Sequence, residues 1–368
     1  MKKIFFISLL IILVFQISTT VYAQENAFYS DSINEILDQI PKDSKTILDE
    51  LGLNDYTFDE LNNVTIDDIW KMITSVFNGC LKTPTETLIL LFGIIIISAV
   101  CLCYISNNNM QILFESITVI VISLTVFSVL MSCIERAVTA LNSVCTIMKV
   151  LVPIISAISS FSGNPALSVS YNAITVYASE ILGAVCSDFL TPVLMNFTVL
   201  SVCIIFNPAI KGENILSAIK KVINMLLGLC ASVFTGISGI KSLLSSGADK
   251  ISVKGIQFLL GSSVPVVGGA LSDGLSSVLA TINLMKSSLG VTGIIILLIL
   301  VLPVICELTL WSFVMSVSSY ICNIFSQNKT ESVLSSFKFV ITMLISIILF
   351  CVYIFTVSTG MVILMGSK

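Results

Sequence analysis

Histidine does not occur in the 368 residues. That absence excludes Ser-His-Asp and Cys-His nucleophilic sites, histidine-ligated metals and the usual neutral-pH proton shuttle. Charge is scarce as well: 11% of residues are charged, against about 25% in soluble domains. The formal net charge of −4 leaves no basic patch for nucleic acid. There is no Walker motif and no dinucleotide fingerprint, and Gly268-Gly269 is neither. Any ATPase that energises the protein therefore belongs to a separate chain. Eleven cysteines are present without a single C-x-x-C pair. Most lie inside apolar runs, where cysteine packs as a small hydrophobe. No cofactor and no enzymatic centre is expected; Asp188 and Asp273, the carboxylates available for an intramembrane pair, sit in no protease motif.

Apolar residues dominate instead, at 56% of the chain with a mean hydropathy of +1.03. This composition predicts an all-α integral membrane protein, a polytopic helical bundle. Residues 1–23 read as a signal peptide: Lys2 and Lys3, an apolar stretch from Ile4 to Ile17, and the small-residue end Val21-Tyr22-Ala23. Residues 24–84 form an acidic extracytoplasmic segment, with twelve carboxylates against four lysines and short amphipathic helical patterns. Residues 85–135 predict a two-span hairpin, Leu88 to Ile105 and Ile112 to Cys133, turning at Ser106-Asn107-Asn108-Asn109. Glu135-Arg136 is placed at the interface, where it caps a helix end.

The rest of the chain reads as a tandem repeat, 136–245 and 246–368. Lys211-x-Glu213-x-x-Leu216-Ser217-x-x-Lys220-x-Val222-Ile223-x-Met225-Leu226 matches Lys329-x-Glu331-x-x-Leu334-Ser335-x-x-Lys338-x-Val340-Ile341-x-Met343-Leu344, nine identities in sixteen positions. Val152-Pro153 matches Val264-Pro265, Pro192-Val193 matches Pro303-Val304, and Phe234-Thr235 matches Phe355-Thr356, in the same order. Each unit is expected to hold one broken, re-entrant segment (about 141 to 188 and 252 to 288) and two full spans. Those spans are Phe189 to Phe206 and Val222 to Ile240, then Val291 to Phe313 and Phe339 to Leu364. The breaks centre on Pro153 and on the stretch Gly261 to Gly274, where Pro265, Gly268, Gly269 and Gly274 interrupt any helix. Paired breaks of this kind form sites in transporters and pores.

If each broken segment re-enters, the repeats are parallel and the lysine-bearing loops 207–221 and 326–338 both face the cytoplasm; if either segment crosses once, the repeats are inverted. The expected polar interior gathers Pro153, Ser156, Ser159, Asn164, Pro265, Gly268, Gly269 and Asp273. Glu307 has a buried polar role, and Glu180, Asp188 and Lys149 are further intramembrane candidates. Several glycines, among them Gly183, Gly228 and the pair Gly236-x-x-Gly239, are read as letting helices approach closely.

At Val264-Pro265-Val266-Val267-Gly268-Gly269-Ala270-Leu271-Ser272-Asp273, preceded by Phe234-Thr235-Gly236-Ile237-Ser238-Gly239-Ile240-Lys241, the chain resembles the stage III sporulation protein AE family of endospore-forming bacteria. The resemblance implies a multi-pass subunit of the channel complex linking mother cell and forespore, needed for late forespore gene expression. It places the protein in the mother-cell membrane around the forespore, among other membrane components of that complex and the lipid bilayer. It admits two roles: a transport path at the paired broken helices, or a non-transporting scaffold that assembles the other members.

Overall fold

A computed structural model describes residues 66–161, 165–206, 214–236 and 268–366. The predicted signal peptide, most of the acidic segment, Asn164, Gly239 and Pro265 lie outside the described residues. Among those described, the chain is all helix: α1 (Ile66–Cys80), α2 (Lys82–Tyr104), α3 (Asn108–Phe161), α4 (Pro165–Gly183), a π-helical turn (Ala184–Leu190), α5 (Thr191–Phe206), α6 (Asn214–Gly236), α7 (Gly268–Ile324) and α8 (Asn328–Gly366). Five of these helices are long and apolar enough to cross a membrane, and Asp188–Ile204 is a shorter apolar helix. In lipid every backbone amide needs an internal partner, which is why such runs close into helices.

The first turn falls where the asparagines predict it. Helix α2 stops at Tyr104, and the Asn107 carboxamide oxygen accepts from the Asn109 amide at 3.0 Å, capping α3. Gln111 fastens the turn by donating to the Ile105 carbonyl at 2.6 Å.

The second half of that hairpin departs from expectation. Helix α3 does not end near residue 135. It runs for 54 residues, or about 81 Å, through Glu135-Arg136 and past Pro153. Pro153 removes one amide donor, so the Lys149 carbonyl loses its intrahelical partner, yet the helix continues because Leu151, Val152 and Ile155 are clamped in the core around it. Of the expected break at 261–274, residues 261–267 with Pro265 lie outside the described residues, whereas Gly268, Gly269 and Gly274 lie within α7, a helix of 57 residues that runs through Pro303. A glycine in a helix costs only about 1 kcal/mol, less than leaving backbone groups unbonded away from water. The lysine-bearing stretch 326–338 is not a loop either; a turn of Phe325, Ser326 and Gln327 leads straight into α8.

That turn holds Ser326 at φ 56°, with the Gln327 amide donating to the Cys322 carbonyl at 2.9 Å and the Ser326 amide to the Asn323 carbonyl at 3.0 Å. This is a helix C-cap built around a left-handed residue, a position that favours glycine. Ser326→Gly should therefore stabilise the protein by about 1 kcal/mol, read as a higher melting temperature in detergent, whereas Ser326→Val should lower it.

The core is one contiguous cluster. Helices α7 and α8 pair along their length, and α3 packs against both. Leu91 and Ile95 of α2, Ile122 and Leu130 of α3, and Phe337 of α8 are fully buried in it. Burial inside a membrane gains little from excluding water, so dispersion contacts and interhelical hydrogen bonds hold these helices together. The described part of the first repeat block, from Asn214, and the second block, from Lys329, both begin in the first turn of their helices, α6 and α8. Lys220 lies 5.2 Å from the Phe339 ring centroid, and Thr235 shares a 3.1 Å hydrogen bond with the Tyr353 hydroxyl. With contacts advancing together on both chains, α6 and α8 run side by side in the same direction.

Candidate functional site

Among the described residues, three ion pairs join different helices. Arg136 on α3 meets Glu307 on α7 at 2.8 Å. Lys149 on α3 meets Glu180 on α4 at 2.8 Å. Glu115 near the start of α3 takes the Lys329 ammonium of α8 at 3.4 Å and lies 3.5 Å from the Lys329 backbone amide. Glu307, Lys149 and Glu180 are each legible from sequence as intramembrane polar residues; which residue pairs with which is not. Arg136 in particular caps no helix end, because α3 runs straight through it. Glu307 keeps only 18% of its side chain exposed, against 52% for Arg136. The carboxylate is therefore the member that depends on its partner.

Beyond Arg136, a set of hydroxyl groups joins the apolar interior. Ser156 of α3 and Ser168 of α4 share a 2.8 Å hydrogen bond, Ser156 also donates to the Ser168 carbonyl at 3.2 Å, and Ser160 donates to Ser168 at 2.7 Å. The Ser168 hydroxyl donates back to the Ser156 carbonyl. Tyr171 of α4 reaches Thr359 of α8 at 3.3 Å, and both are buried. The Thr175 hydroxyl in the same layer is buried without a hydrogen-bond partner. Ser156 and Ser159 thus lie inside a polar seam, while Pro153 points outward and is exposed. Asp188 is exposed on the π-helical turn. Asp273 lies in the first turns of α7 with Gly268 and Gly269.

Helix proximity depends on a glycine that the sequence did not single out. A Cβ on Gly293 of α7 meets Leu151 Cδ1 of α3 at 3.0 Å and Phe355 Cζ of α8 at 3.3 Å. Gly183, Gly228 and Gly236, read from sequence as packing glycines, have nothing within 4 Å of such a Cβ. Their places in small-residue patterns carry no close approach here. Among the described residues no three metal-binding side chains cluster. A cavity of about 270 Å³ between α5 and α6 is lined by apolar side chains such as Phe189, Val193, Val222 and Leu226.

Five long apolar helices, tied by buried hydroxyls and interhelical ion pairs, define the class of multi-pass membrane proteins. Within that class the affiliation is specific. The stage III sporulation protein AE family matches residues 53–366, and the chain belongs to it. It is similar to Stage III sporulation protein AE of Bacillus subtilis (strain 168), with 19% identity over 165 residues, 45% of this chain and 41% of that protein. The matched stretch thus spans less than half of that relative's length. No solved structure matches the chain.

Proposed function

We propose that the protein is a membrane subunit of the sporulation complex linking mother cell and forespore, and that it serves there as the scaffold on which other membrane components assemble. The observation that carries this reading is the pair of cross-links between sequence-distant helices, Glu115 to Lys329 and Arg136 to Glu307; Lys149 to Glu180 ties the successive helices α3 and α4. Such ties resist the rocking of one half against the other that alternating access needs. The shared direction of α6 and α8 supports parallel repeats over inverted ones.

A second reading, a transport path, is favoured by one feature, the hydroxyl seam from Ser156 to Thr175. It includes the expectation that Gly268, Gly269, Pro265, Asn164 and Asp273 line the same interior.

Deletion of the gene should abolish heat-resistant spores, and the intact chain should co-purify with other membrane components of the complex. The substitution Thr175→Cys separates the two roles. In the assembled complex the scaffold predicts no reaction of the introduced thiol with a small charged thiosulfonate. Modification of that thiol together with loss of spores would replace the scaffold with the path.

A further inference from the structure

At about 81 Å, α3 is far longer than the roughly 30 Å of hydrocarbon in a bilayer, so most of it lies elsewhere. Its charges divide it into intervals. Glu115 to Arg136 is about 32 Å along the helix, Arg136 to Lys149 about 20 Å, and Lys149 to the end at Phe161 about 18 Å. The first interval matches the thickness of the hydrocarbon and sets an ion pair at each end, near the headgroups.

The outward face of α3 turns polar at Ser128, about 12 Å before Arg136. Up to Phe127 it exposes Ile112, Leu113, Ile117, Ile120 and Leu124; beyond, it exposes Ser132, Thr139, Asn142, Lys149 and Ala157. Among the neighbouring helices α2 agrees, while α4 exposes Val169, Tyr177 and Ile181 beyond that interval. On α2 the exposed apolar residues run from Ile89 to Tyr104, and the Ser98–Thr118 hydrogen bond of 2.9 Å sets them level with the first interval.

We propose that lipid covers α3 only between Glu115 and Arg136, and that the remainder of α3 projects from one membrane face in a water-facing bundle with α4 and the adjoining parts of α7 and α8. The bundle's ties are those already described: Lys149–Glu180, Ser156–Ser168, Tyr171–Thr359 and the packing of Gly293 on Leu151 and Phe355. Lys338 falls about 13 Å inside the lipid interval, nine residues after Lys329, and Lys220 lies level with it beside Phe339. Their long stems let the ammonium groups reach toward the nearer headgroups, and the Phe197 and Phe339 rings flank Lys220 at 5.7 and 5.2 Å.

This inference rests on the membrane reading, and one experiment separates the two. The full chain is reconstituted in phosphatidylethanolamine–phosphatidylglycerol vesicles with a nitroxide on a ketone-bearing amino acid at position 120, 124, 142 or 157, leaving the native cysteines in place. Oxygen collisions should dominate at 120 and 124. Collisions with an aqueous nickel chelate should dominate at 142 and 157, with a nickel-to-oxygen ratio about tenfold higher than in the belt. Oxygen dominance at 142 and 157 overturns the projection alone, as does shielding from both reagents there. Nickel dominance at all four positions overturns the membrane reading with it.

Discussion

Glu307→Arg should abolish heat-resistant spores, and adding Arg136→Glu in the same chain should restore most of them. The single reversal puts two cations where an ion pair of 2.8 Å stood, one of them on a side chain with 18% exposure. A buried polar group without its partner costs about 1–3 kcal/mol, and charged groups cost more. The half-exposed Arg136 moderates the loss because water and headgroups screen it. The double reversal rebuilds the pair with its ends exchanged, so rescue reports the pairing itself. Spore counts after heating and the amount of full-length chain in membranes check both. A double variant as defective as the single one would show that α3 and α7 are not held by this contact.

Gly293→Leu should be nearly as damaging, by a different route. The glycine lies where α7 crosses both α3 and α8, and even a methyl group there sits 3.0 Å from Leu151 Cδ1. The end of a leucine side chain can shift a few tenths of an ångström, so Gly293→Ala should be mild. Three further carbons have nowhere to go, and overpacking of this kind costs about 1–3 kcal/mol or more. The same substitution at Gly228, where nothing lies within 4 Å, should leave the melting temperature in detergent nearly unchanged. Equal loss at both positions would mean that helix propensity or insertion, and not the crossing, sets the effect.

The contrast between those glycines shows what a linear reading can and cannot find. A turn is a local event, and Asn107-Asn108-Asn109 announces it through side chains that compete for backbone amides. Apolar spans are legible for the same reason, since lipid imposes one requirement on each residue. Helix ends away from turns are different. Pro153 and Pro303 carry strong local signals against a helix, yet both lie inside one, because the neighbours that hold it come from other helices. Glu307 is conspicuous as a charge in an apolar run, but its partner is 171 residues away and no pattern points there. Gly293 sits in an ordinary apolar stretch; its importance comes from Leu151 and Phe355, which only the fold brings near. Of the interior expected from sequence, Ser156 and Ser159 are buried together, whereas Pro153 faces out.

The length of α3 also has a mechanical consequence. Apart from any bend at Pro153, a continuous helix stores no slack, so a pivot at one end appears as displacement at the other. Over about 81 Å, a tilt of about 5° moves the far tip by about 7 Å, more than one helical turn. With α7 bound alongside it at Arg136 and again at Gly293, the two behave as a stiffened lever. A push on one tip is delivered at the other without any part of the chain unfolding between them.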